Sequence, residues 1–415
     1  MTLTSQTTVK YSSEYYELLD DFCFKAKNLY NASLYKLREA YFGYENTINY
    51  NNLDKVMKRE KNIDYAGMPM AASAQWTLQE VCTAWKSFWS AIVDYWENPA
   101  KYLGKPKMPN YLHKTKGRAV VYLTNQNVKV KDGILHFPKK FNGFTMPTNV
   151  SESNISQVRI VPKNRHVVVE IIYKVDEEPL KVDNSRYIGV DLGLDNFATV
   201  VSNDGTEPVL INGKGLKSLN KYWNKRISRL REVETAMNGY WITTKTGRAK
   251  VSDQTEKQIT LTNKRNNQVK DFCHKASKRV VEIALERGCN TIVVGKNNGW
   301  KQESKMSRTV NQSFVQIPHA LFIEILEYKC KLHGLRLILT EEAHTSKTSW
   351  LDDEVPQHHE TYVGKRVKRG LFRSADGSLI NADVNGALQI IRKVFPKVKA
   401  DGIWAYGQPS RVDIV

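Results

Sequence analysis

The 415-residue sequence has little cysteine: Cys23, Cys82, Cys273, Cys289 and Cys330 are scattered, and no CxxC pair occurs. A zinc ribbon therefore cannot be built from cysteine, and an odd, dispersed set speaks for reduced, buried thiols of a cytosolic protein. No membrane-length apolar run and no signal-peptide pattern is present, which argues against membrane insertion and secretion. Acidic residues are also short: 43 Asp and Glu stand against 62 Lys and Arg, a formal net charge of +19. Such an excess points to a polyanionic partner, nucleic acid before membrane, with a merely basic soluble protein as the alternative. The 20 Tyr and 9 Trp among the cations suit stacking on RNA or single strands, or simply a core. Hydrophobic residues reach 41%, enough for a globular chain of two or three domains.

Thr2 to Tyr11 alternates weakly and predicts one strand. Ser13 is placed to cap a helix through about Tyr41, in which Leu18, Phe22, Ala26, Leu29, Leu34 and Leu37 follow helical spacing. Asn46 to Asp64 is Asn-rich and predicts a loop, at most with a short helix. Met70 to Trp96 predicts a second long helix, with Trp85, Trp89 and Trp96 on one face as a packing stripe or a stacking platform. Pro99 ends it. Lys101 to Arg118 is basic and proline-broken, either a solvated linker or a loop that binds a phosphate backbone. Ala119 to Val175 turns to short β-branched runs with a hairpin signal at Lys131-Asp132-Gly133. That predicts a small barrel, which the first strand could join, leaving the helices as an insertion.

From Asn184 the pattern is mixed α/β. Strands fall at Tyr187–Asp191, at Phe197–Ser202 and near Pro208–Ile211. A basic helix from Lys214 to Arg231, a polar connection from Asn238 to Gln254 and a long helix from about Glu256 to Arg287 follow. Then come the strand TIVVGK, an exposed basic loop from Asn297 to Asn311, a helix from Pro318 to His333 and the strand LRLILTEE. Ala343 to Leu379 is polar and without period, Asp383 to Phe395 is an amphipathic helix, and the tail has no clear pattern. The order of elements matches an RNase H-like sheet, though other α/β folds share parts of it.

Asp191, in YIGVDLGLDNFATVV, ends a buried strand, where a carboxylate is costly unless something binds it. It reads as a turn aspartate or as a divalent-metal ligand. A two-metal nuclease needs carboxylates that converge from separate elements. Asp383, in INADVNGALQII, starts the last helix, as a second ligand or as a cap. The fourth strand ends in Gly295, which offers no side chain. The adjacent strand ends in Glu341-Glu342, and an extended glutamate can span the roughly 4.8 Å between strands if the intervening residue is small. Side chains alternate, so one of the pair points inward; the bland reading makes both surface charges.

Together these segments resemble a known family. YIGVDLGLDNFATVV, FVQIPHALFIEILEYKCKLHG, EEAHTSKTS and INADVNGALQIIRKVF are similar to TnpB, the transposon-encoded RNA-guided endonuclease related to compact type V CRISPR effectors. The resemblance runs from about Thr2 to Phe395, and the N-terminal helices, the GKPKMP loop and the VVYLTNQ strands look like the family's recognition and wedge parts. It implies a RuvC-like nuclease with Asp191 and Asp383 as first and third acidic residues and Mg²⁺, with Mn²⁺ as an alternative. It also implies a guide RNA and target double-stranded DNA beside a short adjacent motif. The chain departs twice. Gly295 replaces the usual glutamate, and Glu342, just before TSK, matches a relocated position, with Glu341 as backup. The zinc ribbon is absent; its place holds His358 and His359 without cysteine partners, so no structural zinc is expected.

The resulting expectation is an α/β multidomain chain with a RuvC-like, RNase H-like nuclease domain and a small β-barrel wedge domain carrying an α-helical recognition insertion. The wedge covers 1–12 and 118–183, recognition 13–117, the nuclease 184–342 and 381–398, a target-nucleic-acid-binding insertion 343–380, and a tail 399–415. The expected catalytic and metal-binding residues are Asp191, Glu342 and Asp383. Expected nucleic-acid contacts are Lys105, Lys107, Lys116, Arg118, Lys139, Lys140, Lys264, Arg265, Lys347, Lys365, Arg366, Lys368 and Arg369. The expected activity is RNA-guided DNA cleavage in a prokaryotic cytoplasm, at the nucleoid when DNA-bound. The alternatives are a nuclease-dead guided repressor and an unguided RNase H-like nuclease or transposase.

Overall fold

The computed structural model describes residues 1–43, 49–244, 247–296, 312, 315–399 and 409–414. It divides into two compact units, Met1–Asp176 and Glu177–Val415.

In the first unit, strand β1 (Thr2–Lys10) precedes helices α1 (Tyr16–Phe42), α2 (Tyr50–Arg59), α3 (Ile63–Gly67) and α4 (Ala71–Glu97). Ser13 does not cap α1; its carbonyl accepts the Tyr16 N–H at 3.0 Å, and the helix starts three residues later than Ser13. The Asn-rich stretch, expected to be a loop with at most a short helix, holds the ten-residue helix α2. Asn49 caps α2 by accepting the Asn52 N–H at 3.0 Å, and Leu53 and Met57, one turn apart, are buried. On α4, Trp85 and Trp89 stand edge-on to Tyr41 and pack in the core, whereas Trp96 is 66% exposed.

Strands β2 (Val121–Thr124), β3 (Lys129–Lys131), β4 (Ile134–His136), β5 (Thr145–Pro147), β6 (Ile155–Lys163) and β7 (His166–Lys174) complete this unit. The turn between β3 and β4 has Asp132 and Gly133 at φ 52° and 73°, the left-handed pair that suits a two-residue hairpin. Hydrogen bonding makes an antiparallel sheet of order β1-β7-β6-β2 and a separate β3-β4-β5 meander, two sheets on one core rather than a closed ring. The three-residue strands of the meander are too short to carry the ladder on around a barrel.

The second unit contains β8 (Tyr187–Leu192), β9 (Asn196–Ser202), β10 (Val209–Asn212), α5 (Lys214–Asn238), β11 (Tyr240–Thr244), β12 (Gly247–Val251), α6 (Glu256–Glu286) and β13 (Thr291–Gly295). It continues with α7 (His319–Leu332), β14 (Arg336–Thr340), β15 (Lys365–Lys368), β16 (Leu371–Arg373), β17 (Leu379–Asn381), α8 (Ala382–Val394) and β18 (Ser410–Val412). The main sheet has the order β14-β13-β8-β9-β10-β18. β14, β13 and β8 are parallel, β9 is antiparallel to both neighbours, and β18 is parallel to β10.

Three stretches differ from expectation. The connection after α5 is the hairpin β11–β12, the segment after β14 contains the small sheet β15-β16-β17, and the tail returns as β18. Each strand is five residues or fewer, β11, β12, β15 and β18 carry Thr, Lys, Arg or Ser, and β16 and β17 are three residues long, so the apolar alternation that marks a strand is weak. The basic loop expected from Asn297 to Asn311 lies outside the described residues.

Alternation along β8 orients the site. Ile188, Val190 and Leu192 enter a core with Cys273, Val280, Phe322 and Leu326 of α6 and α7. The other parity faces α8: Tyr187 stacks on Phe395 at 3.7 Å, and a Cβ on Gly189 would stand 2.3 Å from the Ala387 carbonyl oxygen. Helix and strand backbone thus meet directly, and Asp191 belongs to that parity. All five cysteines are free, and all but Cys82 are buried. Among the described residues no helix is long and apolar enough to cross a membrane.

Candidate active site

Asp191 lies near the carboxyl end of β8. A Cβ on Gly386, in the first turns of α8, would stand 3.1 Å from its Oδ2, so the helix start overlies the carboxylate. Asp383 lies in the first turn of α8. It is not the cap: Asn381 accepts the Asp383 and Val384 N–H groups at 3.0 and 3.2 Å. The Asp383 side chain is thereby left for other partners. Its Oδ2 accepts from Asn196 Nδ2 at 2.8 Å, and the Arg366 guanidinium lies 3.6 Å from Oδ1.

Glu342 arrives from the neighbouring strand. Gly295 is paired with Thr340, and the Lys296 N–H donates to the Thr340 carbonyl at 2.8 Å. Two residues on, the Glu342 side chain crosses the strand end. A Cβ on Gly295 would stand 2.4 Å from both Cγ and Oε1 of Glu342 and 2.7 Å from Ile390 Cδ1. The Glu342 backbone is pinned, because its carbonyl accepts from Thr345 N–H at 3.2 Å and Thr345 Oγ1 at 2.8 Å. Glu341, of opposite parity, is exposed.

Two of the three carboxylates act on the third, Asp191. The Asp191 carboxyl is held well above its usual range, first by burial, then by the charges of Glu342 and Asp383, with Arg366 opposing. Burial pushes Glu342 up to about 7. Among the described residues no three His, Cys, Asp or Glu side chains already form a metal cage. The fit to a hard cation rests on the donor set, which is all oxygen. It rests also on the Gly295 cradle that admits Glu342, and on the repulsion at Asp191 that a dication would relieve.

The expected cations fall into different settings. Lys105, Lys107, Lys116, Lys139, Lys264, Lys347, Lys365 and Lys368 are exposed. Lys140 is exposed too, but donates to the Met68 carbonyl at 2.9 Å. Arg118 grips Asp20 with two bonds of 2.8 and 2.7 Å, and Arg265 reaches Asn220 Oδ1 at 2.8 Å and the Gln316 carbonyl at 3.2 Å; both hold the chain's own loops and helices. Arg366 and Arg369 project from the β15–β16 hairpin onto Asp383 and Asp195, the latter also held by Lys217 at 2.9 Å.

Residues not foreseen tie the 343–380 segment to α8. Asn385 accepts the Trp350 N–H at 2.9 Å and donates to the Thr348 carbonyl at 2.8 Å. Arg392 lies 3.9 Å over the Trp350 ring and pairs with Asp353 at 2.6 Å. Glu354, buried, accepts the Ser349 and Val363 N–H groups at 2.7 and 3.2 Å. The signal was in the sequence: an amide and an arginine on the buried face of an otherwise apolar helix need partners. His358 is edge-on to His344, and His359 Nε2 lies 2.8 Å from the Val355 carbonyl oxygen.

An α/β unit with two acidic side chains at the carboxyl ends of parallel strands of a mixed sheet, and a third in the first turn of the last helix, forms the candidate site. Residues 170–301 match the family model OrfB_IS605, a probable transposase, and residues 319–390 match the Cas12f1-like TNB domain. The chain is 24% identical over 281 residues to CRISPR-associated endodeoxyribonuclease Cas12f2 of Micrarchaeota archaeon (strain CG1_02_47_40), covering 64% of this chain and 47% of that protein. It is 23% identical over 235 residues to the TnpB-like protein ORF457 of Acidianus two-tailed virus, covering 56% and 46%. The chain thus spans about half the length of these relatives. In fold it is similar to CasPhi-2 (Cas12j), solved bound to crRNA and phosphorothioate-DNA, with a TM-score of 0.52 at 9% identity, covering 98% of this chain and 92% of that one. The chain is similar to the TnpB and Cas12f proteins, as its motifs imply.

Proposed function

We propose that the protein is an RNA-guided DNA endonuclease, with a guide RNA and target double-stranded DNA beside a short adjacent motif as partners. One observation carries this reading: Asp191, Glu342 and Asp383, from three separate elements, come within electrostatic reach at one end of the sheet, with Glu342 lodged against Gly295. The sheet order supports an RNase H-like, RuvC-type nuclease unit, and the sheets and helices of the first unit suit wedge and recognition roles. Asp191, Glu342 and Asp383 would hold Mg²⁺ or Mn²⁺. When bound, the cations activate water and stabilise the leaving oxygen of phosphodiester hydrolysis.

The chain's own residues have distinct tasks. Thr345 and Gly295 position Glu342; Asn196 and Asn381 position Asp383 and the helix that bears it. Exposed Lys365 and Lys368 beside the site supply charge for the strand to be cut, while guide pairing supplies the sequence specificity. Purified with its RNA, the protein should cut matching DNA with Mg²⁺, and Asp191→Asn and Glu342→Gln should each abolish cutting while Glu341→Gln retains it. Undiminished cutting by Asp191→Asn would remove the site assignment. Guided binding with no cutting in Mg²⁺ or Mn²⁺ would favour the nuclease-dead repressor.

A further inference from the structure

The β11–β12 hairpin lies outside the acidic site. Its ladder pairs Trp241 with Lys250 and Thr243 with Arg248, so these four share one face. Trp241 is 60% exposed, in an exposed run with Tyr240 and Ile242, and the Arg248 guanidinium stands 5.6 Å from its ring centre. The base of the hairpin is fixed. A Cβ on Gly239 would stand 2.2 Å from the Thr235 carbonyl oxygen, and the Thr235 and Ser252 hydroxyls are 3.1 Å apart. α5 and α6 pack through Leu216, Ile227, Ile259 and Val269, so the indole is not needed for their core. Residues 214–254 carry 10 Lys and Arg against 3 Asp and Glu.

We propose that this face is a stacking platform for an unpaired base of a single-stranded polynucleotide, with Trp241 taking the base and Arg248 a flanking phosphate. The proposal deepens the reading of the chain as a nucleic-acid enzyme and rests on it. The cation surplus complements a polyanion. An exposed indole with an arginine against it offers a π-face that an unpaired base can use and a duplex, its bases already stacked, cannot.

The test uses the full chain freed of co-purified nucleic acid at high salt, with anisotropy of fluorescein-labelled dT20, rU20 and a 20-base-pair duplex. Trp241→Ala should weaken single-strand binding about tenfold. Trp241→Phe should keep most of it, and Arg248→Ala should lower both affinity and salt dependence. Whichever of dT20 and rU20 depends more on Trp241 identifies the strand as DNA or RNA. Equal single-strand binding by parent and Trp241→Ala, or an equal loss on the duplex, overturns the platform. Photo-crosslinking of an iodouracil-substituted strand to residues 239–252 of the parent protein supports it independently of any variant's folding, and crosslinks elsewhere only count against it. Binding is read with Asp191→Asn in parallel, so a platform that fails while the parent still cuts DNA, and a nuclease that fails while Trp241 still governs binding, are separate outcomes.

Discussion

Gly295 and Glu342 share one space: a side chain at residue 295 would begin 2.4 Å from the Glu342 carboxylate, so the lack of the first admits the second. Gly295→Ala should displace Glu342 and press on Ile390. The expected cost is about 1–3 kcal/mol, typical of overpacking, together with loss of metal-dependent cleavage. Urea unfolding and a plasmid-cleavage assay read the two effects, and wild-type cutting by this variant would show that Glu342 is not needed where it lies.

The buried Glu342 carboxyl titrates at about 7 in the folded protein against an ordinary 4.5. The folded state therefore binds the proton more tightly than the unfolded one. Without divalent metal, the Glu342 contribution to stability should fall as pH rises from about 4.5 to about 7 and level off above. Glu342→Gln removes that contribution and leaves the dependence due to Asp191, whose carboxyl is also raised; at pH 8 in chelator it should be the more stable protein by roughly 2–3 kcal/mol, with the difference vanishing near pH 4. Cleavage by the parent should rise through pH 7 as the carboxylate ionises. Parallel urea melts at pH 4 and pH 8 decide; a variant less stable than the parent at pH 8 contradicts the account.

Arg366 stands 3.6 Å from Asp383, where on the proposed metal site it would compete with a cation. Because the pair is partly exposed, its strength is at most about 1 kcal/mol. Arg366→Ala should accordingly tighten Mn²⁺ binding at pH 8 by up to about fivefold in calorimetry. Weaker binding would mean that the arginine helps rather than hinders the cation.

Arg118 and Lys107 were equivalent as members of one basic stretch, yet Arg118 is clamped on Asp20 and Lys107 is exposed. Arg118→Ala should lower the melting temperature through loss of about 1 kcal/mol, with little change in the salt dependence of RNA binding. Lys107→Ala should leave melting unchanged and reduce the salt slope by about 0.7 if it contacts one phosphate.

These contrasts show where the sequence is informative. Tyr187 to Leu192 is buried on both faces, so its apolar run marked a strand without tertiary knowledge, and Asp383 stood out at the head of an apolar helix. Glycine at 295 and a glutamate pair at the end of the next strand were enough to suggest a crossing side chain, because strand spacing is fixed. Charge counting could not tell which cations face solvent: Arg118 and Arg265 answer to an aspartate and an asparagine distant in sequence. β11 with β12, and β15 with β16 and β17, form sheets through backbone pairing with little apolar burial, and such short strands leave little periodicity to detect.

β1 has a kinetic consequence. Its partner β7 pairs Thr2 with Lys174, 172 positions later, so at 5–20 residues per second of synthesis the strand waits roughly 10–30 s for it. A sticky strand would be hazardous over that interval. TLTSQTTVK is not sticky: of its nine residues only Val9 becomes buried, and hydroxyl and amide side chains keep the rest at ease in water. The polarity that made this strand faint in the sequence is what lets it stay unpaired on the ribosome until its partner emerges.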